Sequence, residues 1–518
     1  MYPTLRRNNE AVCKLRISEI NFTLQKSIST LNLDMANLRL YSILLLLTFV
    51  FLDVSGQEVT YTEYEKFDNR TDAYTVVGMT GGHLYTYLRN EEGSRLESYN
   101  DSMKKVATIL LDFFPQRIYQ VKFITYPDKM MVLYQALESN KVVQYAALLD
   151  ASGLLINKPI EIGHTKTGIF GPTKNYYSSS VSDDKKTILV YTAADKKNEI
   201  SFEGKWLDDK GVVFKRCKAS FKTENLPEHG EVNVANDGTV YMAAYTPIGA
   251  QDYTDQYWIL KLKPGSLKFE GKELQLGDKF ATGGYTKIDN VNNKVYFGGF
   301  YSDKKNGRFD GFIYAAFDIA TDTFSTRRFI PFDNEIISKA NSNKRNYSFD
   351  NYMVRQLIVK NDGGFVLVAE SQYVTMRSSF TPGFGYYSFY SPYMNSSVRE
   401  YHYNDIMALA YNNEGVREWN TIIPKQQYSQ EDDGVFSSYA LLNTGGTLAF
   451  LFNDFDTRHS RIQLATVTAD GKSDIHGLTA EGNDYPDWLP KSAKQVSGRV
   501  MVVPCFYRKQ ICFARVSF

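Results

Sequence analysis

Nucleophilic and metal-assisted catalysis usually leave compact signatures, so the side chains able to do chemistry come first. The 518 residues contain no His-Glu-x-x-His, no Gly-x-Ser-x-Gly and no Walker-type phosphate loop. The six histidines are dispersed, and His83, His229, His402 and His459 show no ligand spacing. Three acidic runs, EDD (431–433), NDFD (453–456) and DNVNN (289–293), offer oxygen ligands. None has the Asp-x-Asp-x-Asp-Gly spacing with a distal Glu that a calcium loop requires. Turns rich in Asp and Asn are, moreover, what hairpins need for their own sake. No catalytic residue, metal site or cofactor is therefore assigned. An enzyme would have to assemble its site from residues far apart in the chain.

The residues that stand out are aromatic. The segment QYVTMRSSFTPGFGYYSFYSPYMNSSVREYHYND (372–405) holds ten of them, and Pro382, Gly383 and Gly385 interrupt any regular element. Tyr386, Tyr387, Tyr390 and Tyr393 are the candidate binding anchors. Tyrosine offers rigid, amphipathic contact area at low entropy cost, suited to a protein or glycan partner. The competing expectation is a plug, folded back over one mouth of the scaffold with its aromatics satisfied internally.

Something regular must hold that segment, and a repeat supplies it. An alternating apolar strand, a polar turn and a second short strand recur along the chain. Examples are VVQYAALLDASGLLIN, YWILKLKPGSLKFEG and IMALAYNNEGVREWN. The turn positions are Gly93, Gly153, Gly211, Gly265, Asp322, Gly415 and Gly471, with gaps of 54 to 60 residues except for one of 93. The long gap contains 372–405. A second recurring hairpin lies upstream of each turn, as in QLIVKNDGGFVLVAES (356–371) and VNVANDGTVYMAAYT (232–246). Two hairpins make a four-stranded antiparallel unit that cannot bury both faces alone. Stacking such units around an axis does so, which is the logic of a β-propeller. We therefore expect an all-β fold of eight four-stranded blades, with seven the next choice and a β-sandwich pair the alternative. The terminal GRVMVVPCFYRKQICFARVSF lacks an outer strand, and EVTYTEYEK (58–66) can complete that blade and close the ring. YNNEGVREW (411–419) resembles the strand pairs of quinone-dependent dehydrogenases, with Trp419 four residues past Gly415. Asn157 and Lys215 stand at the equivalent places elsewhere, so no quinone site is implied.

Composition bounds the rest. The net charge of +1 gives no electrostatic case for nucleic acid, and 37 Tyr with 33 Phe lean towards β structure. LYSILLLLTFVFL (40–52) is too short to span a bilayer but suits a signal-peptide core, with cleavage after VSG (54–56). We expect residues 1–56 to be a signal peptide with an over-long extension (1–34), leaving 57–518 as a single propeller without a transmembrane span. An uncleaved signal anchor is the alternative. Cys505 and Cys512 lie symmetrically about Arg508-Lys509, where a two-residue turn would set them opposite each other as a candidate disulfide.

Residues 370–454 resemble an uncharacterised family of exported propeller-like proteins of Bacteroidota, most closely at IPKQQ (423–427), FSSY (436–439) and LFND (451–454). The resemblance implies export to the periplasm or cell surface of such a bacterium, and brings no activity or catalytic residue with it. Taken together, the residues lead us to expect an exported propeller that binds a protein or glycan partner. The alternative is an enzyme with its site at the central channel.

Overall fold

The computed structural model describes residues 57–167, 176–248, 253–305, 307–341, 351–379, 396–456, 459–478 and 486–518. They form eight antiparallel sheets, each four strands deep, arranged as an eight-bladed β-propeller. Strands are called a to d from the axis outwards. The inner a strands of neighbouring blades touch one another, as Ala73–Thr80 touches both Ile118–Thr125 and Lys494–Ser497.

Alternation along each strand explains why blades stack. Successive side chains of a strand point to opposite faces. In blade 7, Leu448, Phe450 and Phe452 face blade 6, whereas Ala449 and Leu451 face blade 8. The core is accordingly divided into eight apolar layers, one between each pair of adjacent blades. The layer joining Val76, Leu84 and Tyr99 of blade 1 to Val502, Ile511 and Phe513 of blade 8 completes the circle.

Closure uses the strand expected from the sequence. Glu58–Tyr61 pairs antiparallel with Ala514–Ser517 as the outer strand of blade 8, and Glu65 and Lys66 continue along Ile511 and Gln510. Glu65 then reaches into blade 1, where Arg95 Nη2 lies 2.8 Å from its carboxylate and Lys105 also contacts it. The same chain segment therefore closes a sheet by backbone pairing and locks it to the next blade by charge.

Two expectations need correction. The hairpin around Gly93 joins strands b and c of blade 1, His83–Asn90 and Gly93–Tyr99, whereas the other repeat turns join c to d. The first copy is thus one hairpin out of phase, yet the blade count is unaffected. Secondly, much of 372–405 is not irregular. The b and c strands of blade 6 run on as Phe365–Ser379 and Ser396–Tyr411, paired from Phe365↔Tyr411 out to Ser379↔Ser396.

The hairpin of the last blade has the anticipated register, with Tyr507↔Gln510 flanking the turn and Cys505 opposite Cys512. The disulfide itself is not formed there: both residues are buried free thiols, and Cys505 Sγ donates to the Val503 carbonyl at 3.4 Å. Among the described residues no helix is long and apolar enough to cross a membrane.

Candidate functional site

Strand direction decides which features share a face. In a meander of four antiparallel strands, the b–c turns and the links to the next blade lie at one end, and the a–b and c–d turns at the other. The extended b–c hairpin of blade 6 therefore projects from the first of these faces. Eight residues, Gln372–Ser379, run past the end of the a-strand pairing, a reach of about 26 Å at β-strand rise. Gln427–Gln430 adds a third strand beside Glu400–Tyr403. We call this three-stranded element the arm.

The arm departs at a β-bulge, where the register shifts between Glu370 and Gln372. Bulges bend a ladder and re-aim it. A buried polar network packs around this bend. Glu370 is fully buried and accepts hydrogen bonds from Lys425 Nζ (2.8 Å), Arg355 Nη2 (3.0 Å) and Ser438 Oγ (2.7 Å). Lys425 also donates to Gln427 Oε1 at 2.9 Å, while its backbone N–H donates to Asp405 Oδ1 at 3.0 Å. Gln427 donates to the Asn453 carbonyl at 2.7 Å, and Asn453 Nδ2 donates to the Phe436 and Trp488 carbonyls. The chain of bonds thus crosses blades 6, 7 and 8.

Four of its members come from three short stretches: Lys425 and Gln427 from IPKQQ (423–427), Ser438 from FSSY (436–439), and Asn453 from LFND (451–454). Burial holds the Lys425 ammonium below the usual lysine range, against the pull of Glu370. With Glu370 and Lys425 almost wholly inaccessible, no substrate can reach this pair. The network positions other groups and does no chemistry itself.

What it positions is the root of the arm. Arg355 contacts both Glu370 and Gln372, and Gln372 Nε2 donates to Tyr403 Oη at 3.2 Å. Lys491 donates to the same oxygen at 2.7 Å with its ammonium 4.0 Å from the ring centroid. Desolvation there lowers the Lys491 amine to about 8.

Beyond the root, cross-strand neighbours form rows. Tyr373 stacks on His402 at 4.4 Å between centroids, and Tyr428 lies tilted against His402 at 5.2 Å. In the next row on that face, Glu400 accepts from Thr375 Oγ1 (3.1 Å) and Tyr428 Oη (2.9 Å). The opposite face carries Val374 and Met376, 50% and 70% exposed, and Tyr428 is 45% exposed.

The anchors anticipated from sequence, Tyr386, Tyr387, Tyr390 and Tyr393, lie outside the described residues. Tyr373 and Tyr403, from the same segment, do lie on the arm, and His402 joins them although its isolation in sequence gave no hint of a role. Register was the missing signal: only the pairing Tyr373↔His402↔Tyr428 brings these rings together. Among the described residues, no group of three or more His, Cys, Asp or Glu is placed to hold a metal ion.

No protein-family model matches the chain, and no curated protein does. Solved structures share its shape only loosely. Prolyl oligopeptidase B from Galerina marginata aligns over 84% of this chain with a TM-score of 0.41 and 10% identity. This chain covers 55% of the length of that enzyme. An ulvan lyase aligns over 76% of this chain and 90% of its own length, with a TM-score of 0.34 and 9% identity. An uncharacterised protein of Listeria monocytogenes aligns over 75% and 92%, with a TM-score of 0.34 and 11% identity. The assignment as an eight-bladed propeller stands on the strand order and the ring of apolar layers described above.

Proposed function

We propose that this protein is an exported propeller that binds a macromolecular partner through the arm, and that the partner is a protein. The supporting observation is a rigidly rooted β-ladder that presents Val374, Met376 and Tyr428 to solvent. Val374 and Met376 lie together on one face of it and Tyr428 on the other, and exposed apolar side chains on a projecting element mark interaction surfaces. A protein suits the geometry better than a sugar. Tyr373 and His402 lie face to face, 11° from parallel, so each covers a ring face that a pyranose would need. The exposed Val374 and Met376 are aliphatic, and such side chains suit the core of a protein interface better than a sugar. The apolar run 40–52 and the resemblance of 370–454 support export to the periplasm, cell surface or medium.

The test compares the full chain with a form in which 378–398 is replaced by a short Gly-Ser linker, and with a Val374→Ser/Met376→Ser/Tyr428→Ser form. Pull-down from the cell envelope and a glycan array are run on all three, with thermal melts to show folding. The reading expects a protein partner captured by the full chain and lost from both folded variants. Capture that survives both changes, or binding found only on the glycan array, overturns it.

A further inference from the structure

A cavity of about 810 Å³ opens on the face opposite the arm, where the a–b turns meet the axis. Its wall comes from five consecutive blades, 8, 1, 2, 3 and 4. Three lysines line it: Lys494 from the inner strand of blade 8, Lys122 from that of blade 2 and Lys185 from the a–b turn of blade 3. Glu231 is the one carboxylate among the lining residues, so the wall carries a net charge of +2 in a chain whose overall charge is +1.

Each ammonium is held in place by a neighbouring blade. Lys494 Nζ donates to the Val77 carbonyl (2.8 Å), Lys122 Nζ to that of Ser179 (2.9 Å) and Lys185 Nζ to that of Thr125 (2.8 Å). A lysine ammonium has three donors, so two on each are left for other acceptors. Among the described residues no carboxylate lies within 4.0 Å of any of the three, whereas several lysines elsewhere have one, as in Lys129–Asp209 (2.7 Å) and Lys261–Asp322 (3.0 Å).

We propose that this mouth of the channel binds a polyanionic group, a ligand bearing two or more phosphate, sulfate or carboxylate functions. Three fixed cations facing one recess repel each other, and the recess is large enough for a small ligand. The cost is visible in the amines. Burial lowers Lys122 and Lys494 from the usual lysine range, and the charges of Lys185 and Lys122 lower Lys494 further. An anion among them would offset both burial and repulsion. The backbone makes room for it at Gly78, which sits at a bulge with φ +121° in the inner strand of blade 1. A Cβ at Gly78 would lie 3.3 Å from Thr125 Cγ2 and 3.9 Å from Lys494 Nζ, narrowing the recess.

This site is independent of the arm, and its test can separate the two. Calorimetric titration of the full chain uses tripolyphosphate, a sulfated disaccharide and a galacturonate trimer as probes, at roughly 50 and roughly 200 mM salt. At least one probe should bind, more weakly at the higher salt. Lys122→Gln and Lys494→Gln should each lower affinity about tenfold. Glutamine keeps a donor for the carbonyl each lysine holds, and Lys185→Gln, on an exposed turn, provides a variant with least risk to folding. Lys205→Gln is the control, since Lys205 makes the same kind of bond, to the Ile162 carbonyl at 2.8 Å, but does not line the cavity. Which probe binds tells a phosphate from an acidic sugar. No binding of any probe at millimolar concentration, or equal losses in the control and the cavity variants, overturns the proposal.

Discussion

Replacing Lys425 with Met tests whether the buried network holds the arm. The substitution keeps the length and apolar stem of the side chain but removes the donor 2.8 Å from Glu370 Oε1. Glu370 has no solvent exposure, so water cannot replace that donor. Breaking a buried ion pair from one side costs roughly 3–5 kcal/mol. Arg355 and Ser438 still hold the other carboxylate oxygen, which places the expected loss near about 3 kcal/mol, or a factor of about 150 in the folded-to-unfolded ratio. Replacing both partners is a different perturbation: neither member of the buried pair is left alone, although Arg355 and Ser438 lose their acceptor on Glu370. Lys425→Met/Glu370→Met should therefore cost clearly less than the sum of the two single changes. Urea denaturation at constant m-value reads each stability, and the four proteins close a double-mutant cycle with a coupling of about 2 kcal/mol or more. Hydrogen exchange adds a local readout: amides of 396–405 and 427–430 should lose protection in Lys425→Met ahead of those in blades 2 and 3. A single-variant cost below about 1 kcal/mol, or costs that simply add, would refute the reasoning.

Glu65→Gln should weaken ring closure by about 2 kcal/mol, the scale of a charge-assisted hydrogen bond. Burial raises the Glu65 carboxyl, but hydrogen bonds from Lys105 and Arg95 outweigh it and hold the group below the usual 4.5. A depressed carboxyl stabilises above its unfolded value, so this contribution is complete above about pH 5 and fades as pH falls through the folded value; the variant should lack that part of the acid transition. Gly471→Ala should cost roughly 2–3 kcal/mol, because φ is +80° and a Cβ would come within 2.5 Å of Trp419 Cγ. Tryptophan emission should move to the red as Trp419 is displaced, and an unchanged spectrum would count against the contact. Burial pushes the Cys505 thiol well above its usual range. Cys505 and Cys512 are both wholly buried, so native protein should resist thiol reagents at each, and non-reducing peptide maps should recover both as free thiols after unfolding; a linked pair would show that the hairpin oxidises.

The architecture was legible because a propeller repeats its local physics. Each turn position read from sequence has positive φ, from 76° at Gly211 to 124° at Gly93, and Asp322 takes the same conformation at 57°. Turns of that kind, set between alternating strands at a constant spacing, constrain the fold strongly. The phase of the first repeat was less legible, since b–c and c–d hairpins carry the same alternation and the same turn glycine. Phase is set by which neighbour each face covers, as Leu96 covers blade 2 from strand c of blade 1. That information lies between blades, not within a hairpin.

The binding groups were hidden for the same physical cause. Lys122, Lys185 and Lys494 lie in three separate blades, and each reads alone as an ordinary charged residue near a turn. They become a site only because ring closure brings blade 8 beside blade 1, so that Lys494 reaches Val77. Tyr373, His402 and Tyr428 meet for a comparable reason, through a register that a bulge resets. A propeller draws its binding groups from strands that are neighbours around the axis but distant in sequence. The aromatic segment was conspicuous in sequence because it departs from the repeat; the lysines were hidden because they conform to it. The two surfaces lie at opposite ends of the channel and share no residue, so losing one should leave the other intact. Polyanion binding that persists when the arm is removed, alongside partner capture that persists in Lys122→Gln/Lys494→Gln, would establish a scaffold with two separate binding faces.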